Sequence, residues 1–254
     1  MDTSSNALFI GKFYHYLGIV SSTNDYLVNL IKTKKVPEGA VVVAGHQTAG
    51  KGQRGNVWLD EAGSNIAMSL YLKPQFLPLT RQFYLSMSVA LGISQCIIEL
   101  LDMQIFIKWP NDILLKDHKI CGVLIENSSS GKNLQESVIG IGLNVNQVVF
   151  PPLLTQASSL KLLTQQHFDL DKIIQKLFVY IEKYYLWLRE GKYRALKEAY
   201  LNNLYRFEEK HAFQTKEGII EGRIIGVDAW GHLVIEKVNG KQATFGVKEI
   251  SFYI

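Results

Sequence analysis

The spacing of apolar and polar positions changes repeatedly along the chain, and each change marks an element. Phe13 to Val20 (FYHYLGIV) is rich in aromatic and β-branched residues and stops at Ser21-Ser22-Thr23-Asn24, which predicts a strand. A helix follows. Ser22 or Thr23 can cap it, Asp25 suits its first turn, and Leu27, Leu30 and Ile31 recur at helical spacing. Lys32, Lys34 and Lys35 suit its electronegative end, and Pro37 and Gly39 stop it. Ala40 to Ala44 and Asn65 to Leu72 read as strands separated by a glycine-rich segment. Thr80 to Leu101 places Phe83, Met87, Ala90, Ile93, Ile97 and Leu100 at intervals of three and four, the stripe of a core-facing helix.

Short strands are expected at Ile105 to Ile107, Ile113 to Leu115 and Val123 to Ile125, the last two linked by the polar turn Lys116-Asp117-His118-Lys119. Val138 to Val145 is a further strand whose Gly140 and Gly142 share a face and leave room for close approach to the backbone. Val148 to Ser159 is an apolar loop broken by Pro151-Pro152. Two helices then run from about Asp171 to Gly191, with Ile174, Leu177, Phe178, Ile181 and Tyr185 on one face, and on to about Tyr205. From Phe207 the pattern becomes short strands and tight turns, as in a small β-barrel. A domain boundary is therefore expected near residue 206, dividing the chain into 1–205 and 206–254.

Composition narrows the class. With 47% hydrophobic and 20% charged residues, the chain is neither disordered, collagen-like nor coiled-coil. The 27 Lys plus Arg against 23 Asp plus Glu give a net charge of +4, too small and dispersed for a nucleic-acid footprint. Cys96 and Cys121 lack metal-ligand or disulfide spacing, which fits a reducing, cytoplasmic setting. Neither a signal peptide nor a membrane span is expected.

Two segments carry candidate chemistry. Gly45 to Lys51 (GHQTAGK) matches GxxxxGK, but Gly52 stands where the nucleotide-hydrolase loop has Ser or Thr, and Gly55 and Val57 disfavour the helix that should follow. What remains is a flexible backbone able to approach an anion, with Lys51 and Arg54 supplying charge; a solvated hairpin loop is the plainer alternative. The second segment is Lys108-Trp109-Pro110-Asn111-Asp112 followed by Lys119, Cys121 and Gly122. Its charges could meet where strand ends converge, although each taken singly reads as a solvated turn residue.

Together these blocks resemble the biotin–protein ligases over nearly the whole chain. The resemblance rests on SSTN at Ser21 to Asn24, HQTAGKGQRG at His46 to Gly55 with Trp58, KWPNDILL through KICGVLIE at Lys108 to Glu126, and GIGLNVN at Gly140 to Asn146. It implies an α+β fold: a mixed, mostly antiparallel sheet with flanking helices, like class II synthetases, plus a small C-terminal SH3-like β-barrel. It also implies the activity, in which ATP activates biotin as biotinyl-adenylate and the biotin passes to a lysine of a biotin carboxyl carrier protein domain. Mg²⁺ is expected with the ATP phosphates, with no ligands assigned.

By the same resemblance Lys119 is the catalytic cation, touching biotin's carboxylate and the α-phosphate. Biotin binding falls to Ser22, Thr23, Gln47, Gly50, Lys51, Gln53, Lys119, Gly122, Gly140 and Gly142. ATP binding falls to Lys51, Arg54, Trp58, Lys108, Asn111, Asp112, Lys119 and Asn144, with the Val148 to Leu154 loop over adenine. The family's usual GRGRxGR is GKGQRGN here, so Lys51, Gln53 and Asn56 stand at arginine positions, and a looser hold on the adenylate is expected. With about 12 residues before the first strand there is no room for a DNA-reading helix pair, so neither nucleic acid nor membrane is an expected partner. A homodimer is allowed but not required. The alternatives are a lipoate or octanoate transferase of the same superfamily and a non-catalytic regulator built around the barrel.

Overall fold

The computed structural model describes residues 6–253. Seven strands form one sheet in the order β1-β2-β3-β7-β6-β5-β4: β1 (Tyr14–Val20), β2 (Val41–Gln47), β3 (Ile66–Leu72), β4 (Ile105–Lys108), β5 (Asp112–Leu115), β6 (His118–Ser130) and β7 (Asn133–Leu143). β1 and β2 are parallel and every other neighbouring pair is antiparallel.

Alternation decides what each face meets. Val41 and Val43, Met68 and Leu70, and Ile139 and Ile141 point into the main core. Helices α2 (Phe83–Leu101), α4 (Leu170–Arg189) and α5 (Tyr193–Asn202) pack on that side. Val42, Tyr71 and Val138 point the other way, under α1 (Thr23–Thr33), in a second and smaller cluster.

α2 is buried beyond its predicted stripe: Leu85, Val89, Leu91 and Cys96 are as enclosed as Met87 and Ile93. The cause is a helix on its outer side. Gly92 lies so close to α4 that an added Cβ would sit 2.7 Å from the Ile181 Cα. The segment Leu79–Leu101 is long and apolar enough to cross a membrane, and 61% of its apolar window is buried inside this fold as a core helix.

Glu182 of α4, only 4% exposed, accepts backbone N–H bonds from Leu8 (2.5 Å), Phe9 (2.8 Å) and Ile10 (2.9 Å), tying the N-terminal segment to the core. This anchor joins residues far apart in sequence, and no local pattern announces it.

Three expectations need correction. β6 extends from His118 to Ser130, so Lys119 lies in the strand and the turn is confined to Lys116 and Asp117, both left-handed. A short helix, α3 (Leu160–Thr164), follows the proline loop, capped by Ser159. The C-terminal strands β8 (Lys210–Thr215), β9 (Gly218–Val227), β10 (Leu233–Lys237), β11 (Gln242–Phe245) and β12 (Ile250–Phe252) form an open antiparallel sheet, β11-β10-β9-β8-β12, rather than a closed barrel. Its inner residues, including Phe213, Ile224 and Ile235, belong instead to the main core cluster, so burial there takes the place of closure.

Candidate functional site

One row of paired residues crosses the α1 side of the large sheet: Ala44, Ala67, Gly142, Gly122, Asp112 and Lys108 on successive strands β2, β3, β7, β6, β5 and β4. The row is a trough, small at one end and charged at the other. α1 covers the neighbouring row and leaves this one open, creating a cavity of about 160 Å³.

At the small end, Ser22 caps α1 by accepting from the Asp25 N–H, and Ser22, Thr23 and Asn24 are all nearly inaccessible. Thr23 donates from its backbone N–H (2.8 Å) and its hydroxyl (3.0 Å) to Gln47 Oε1. That acceptor is therefore occupied, and the Gln47 amide NH₂ is left for other partners. Ser69 meets Thr23 and Asn24 at 2.7 and 2.5 Å, and Asn24 donates to Glu126 at 2.7 Å. Asn24 occupies the space before Gly140, where an added Cβ would lie 2.6 Å from Asn24 Oδ1.

The segment after β2 is a hairpin over the trough and not a phosphate loop leading into a helix. Lys51 bridges Val57, the Gly52 N–H donates to the Asn56 carbonyl (2.8 Å), and the Trp58 N–H donates to the Gly50 carbonyl (2.9 Å). The hairpin lays Trp58 on Gly142, where a Cβ would meet its ring at 2.3 Å, and against Gly122 at 3.0 Å. Lys51 turns to Asp25 of α1 at 2.6 Å. Asp60 returns the hairpin to β2, its carboxylate 3.4 Å from His46 Nδ1, too long for a good hydrogen bond. Burial holds the Asp60 carboxyl above the usual range, an effect partly offset by His46 and the Gln47 N–H.

At the charged end, the β5–β6 register shifts between Ile113 and Leu114, and this bulge turns Lys119 onto the trough side. Lys119 Nζ lies 2.7 Å from Asp112 Oδ1 and 5.8 Å from the centre of the Trp58 ring. The proline loop fixes the lysine backbone from its other edge: the Lys119 N–H donates to the Gln156 carbonyl (2.7 Å) and the Ser158 N–H to the Lys119 carbonyl (3.0 Å). Asn111 secures the turn by donating to the Val123 carbonyl at 2.6 Å. Asn144 donates to the Ser158 carbonyl (3.0 Å), while its Oδ1 and Trp58 Nε1 are buried without a hydrogen-bond partner among the described residues. Of these, Trp58 Nε1 belongs to a residue that lines the cavity, where an unpaired buried donor suits a polar ligand.

Of the residues singled out from sequence, Ser22, Thr23, Gln47, Lys51, Gln53, Trp58, Asn111, Asp112, Lys119, Gly122, Gly140 and Gly142 line this cavity. Gly50 stands behind it, its position for a Cβ 2.5 Å from the Trp58 carbonyl oxygen. Lys108 lines a separate cavity, Asn144 donates to the Ser158 carbonyl, and the Arg54 side chain lies outside the described residues. Asn24, Ser69 and Met68 were not singled out. Asn24 was visible within SSTN, whereas Ser69 and Met68 sit in a strand whose burial pattern carries no signal of a site.

The same chain segment, residues 16–144, matches the biotin/lipoate A/B protein ligase family. The chain belongs to that family. Within it, the chain is 32% identical over 234 residues to the bifunctional ligase/repressor BirA of Bacillus subtilis, covering 91% of this chain and 71% of that protein. It is 30% identical over 214 residues to the biotin–[acetyl-CoA-carboxylase] ligase of Paracoccus denitrificans, covering 80% and 86%. The biotin protein ligase of Aquifex aeolicus in complex with biotin and ATP superposes with a TM-score of 0.80 at 26% identity, over 95% of this chain and 99% of that one.

Proposed function

We propose that this chain is an ATP-dependent biotin–protein ligase, which condenses biotin with ATP to biotinyl-adenylate and pyrophosphate and transfers the biotin to a lysine of a biotin carboxyl carrier protein domain. The observation that carries this reading is the cross-sheet row, in which glycines give way to a lysine held against an aspartate. Biotin is an apolar ring system with a polar ureido end and a carboxylate tail, and the trough is ordered in the same sense.

The ureido ring binds among Ser22, Thr23 and Gln47, whose free amide NH₂ donates to it. The ring body and chain lie in the cavity that Gly140, Gly142 and Gly122 line, beside Asn24 and Trp58, which fill the space directly before those glycines, and near the hairpin of Gly50, Lys51 and Gln53. The carboxylate oxygen attacks the α-phosphorus beside Lys119, whose ammonium stabilises charge on the phosphoryl oxygens and then on the carbonyl oxygen when the carrier amine attacks. ATP lies toward Trp58, Asn111, Asp112, Asn144 and Lys108, with Lys51 and Arg54 near its phosphates. The buried Asn144 Oδ1 and Trp58 Nε1 are suited to the base.

Mg²⁺ arrives with the triphosphate. Among the described residues no cluster of three or more His, Cys, Asp or Glu could cage a metal, so Asp112, the carboxylate beside Lys119, fits a supporting contact to a phosphate-bound ion. The open C-terminal sheet from about residue 206 acts as a second unit, and the Trp109 Nε1–H bond to the Gly231 carbonyl (2.8 Å) couples it to the KWPND block.

Biotin-dependent exchange of pyrophosphate into ATP tests the reading. Exchange with biotin supports it; exchange with lipoate alone makes the chain a lipoate enzyme, and exchange with neither removes the adenylation chemistry. Gln53→Arg, which restores the family's arginine, is expected to slow release of biotinyl-adenylate.

A further inference from the structure

We propose that Asp60 is a positioning residue for biotin: its buried carboxylate holds the Gln47 backbone where β2 outruns its neighbour β3, and so aims the Gln47 amide NH₂ into the cavity. This rests on the ligase reading above and adds a residue outside the cavity wall to the recognition of the ureido ring.

β2 is supported unequally on its two sides. Its pairing with β3 ends at Ala44 opposite Ala67, whereas β1 continues beside it as far as Val20 opposite Gln47. Successive N–H groups of a strand point to opposite sides. The Thr48 N–H donates to the Val20 carbonyl on the β1 side (2.9 Å), so the Gln47 N–H faces the side from which β3 is missing. An unpaired amide there would be costly. The returning limb of the hairpin takes the place of the strand: the Gly45 carbonyl accepts from the Gly63 N–H (2.8 Å), and the Asp60 carboxylate accepts from the Gln47 N–H.

A carboxylate that is 2% exposed is expensive to bury unless its oxygens are used. Asp60 bonds to its own N–H and to that of Gln47, so Gln47 is the backbone group it ties down beyond its own residue. The titratable side chain facing it is His46, with Nδ1 3.4 Å from Asp60 Oδ1, and neither of those two atoms has a hydrogen-bond partner among the described residues. The bond to Gln47 is charge-assisted, and such bonds are roughly twice as strong as neutral ones.

The far end of Gln47 is fixed as well. Its Oε1 accepts from the Thr23 N–H (2.8 Å) and hydroxyl (3.0 Å). With the backbone held by Asp60 and the carbonyl oxygen by Thr23, the amide plane is set from both ends, and its NH₂ is left for the cavity that Gln47 lines. A donor ordered in advance costs nothing further when the ligand arrives, whereas a loosened one must be ordered at the expense of binding. The ATP residues Lys108, Asn111 and Asp112 stand at the charged end of the row, so the loss falls on biotin.

Steady-state pyrophosphate–ATP exchange by the full chain tests this with Asp60→Ala, Asp60→Asn and a double-mutant cycle with Gln47→Ala. In Asp60→Ala the KM for biotin rises by about tenfold, while the KM for ATP moves by less than about twofold. Asp60→Asn, which keeps an oxygen for the Gln47 N–H, recovers most of the loss. In a chain already carrying Gln47→Ala, adding Asp60→Ala raises the biotin KM by less than about threefold, because the amide it aims is gone. A merely structural role would move both KM values together and cost as much without the Gln47 amide as with it; either result overturns the proposal, as does an unchanged biotin KM in Asp60→Ala. If Asp60→Ala does not fold, Asp60→Ser, which also removes the carboxylate, is read by the same constants against the same outcomes. Absence of biotin-dependent exchange in the unaltered chain overturns the ligase reading instead.

Discussion

Trp58 packs against Gly142 so closely that any side chain at that position would enter the indole ring. A residue from the hairpin after β2 and one from the central strand β7 thus define the cavity wall together, and the glycine is there because the ring is.

Gly142→Ala is expected to push Trp58 out of place, because ring atoms lie 2.3 to 2.7 Å from the new Cβ and a rigid indole cannot yield locally. Biotin binding weakens by about tenfold or more, a loss on the scale of ordinary overpacking. Isothermal titration measures it, and indole fluorescence reports the displacement. Undiminished affinity would show that the ring moves aside freely.

The trough has a support at Asp60 that weakens as pH rises. Burial raises its pKa, so the folded chain holds this proton more tightly than the unfolded chain does. The stability it contributes is therefore complete below the unfolded carboxylate range and is lost as pH rises through the folded value. Asp60→Asn removes that titration and still offers an oxygen to the Gln47 N–H. Its melting temperature relative to the unaltered chain should climb as pH is raised through the acid range; a difference that stays flat or falls contradicts the assignment.

Much of this was legible beforehand. The α4 face of Ile174, Leu177, Phe178, Ile181 and Tyr185 is buried as its spacing requires, because one helix face meeting one core leaves a periodic trace. The trace fails where an element is enclosed on several sides, as α2 is, or where sheet closure depends on distant packing, as in the open C-terminal sheet. The site divides in the same way. Short motifs exposed Lys119, Asp112 and the glycines, whereas Ser69 and Asp60 act through contacts 45 residues away to Asn24 and across the hairpin to His46, which no local pattern records.

Glu182 provides a prediction independent of the site. Glu182→Gln leaves one acceptor oxygen for three backbone N–H groups, and each unsatisfied buried donor costs about 1–3 kcal/mol. The melting temperature should fall by several degrees, with the KM for biotin unchanged at 20 °C or below, roughly where domain stability is greatest. A variant as stable as the unaltered chain would mean that the N-terminal segment is dispensable.

The central claim is that the Lys119 ammonium, aimed by the β5–β6 bulge and held at 2.7 Å from Asp112, stabilises the reacting phosphoryl group. Biotin-dependent pyrophosphate–ATP exchange by Lys119→Gln at saturating biotin and ATP tests it most directly. The account predicts a rate lower by ~10²- to 10³-fold in a variant that retains its circular dichroism spectrum and melting transition. Exchange within about tenfold of the unaltered rate in such a folded variant would contradict it.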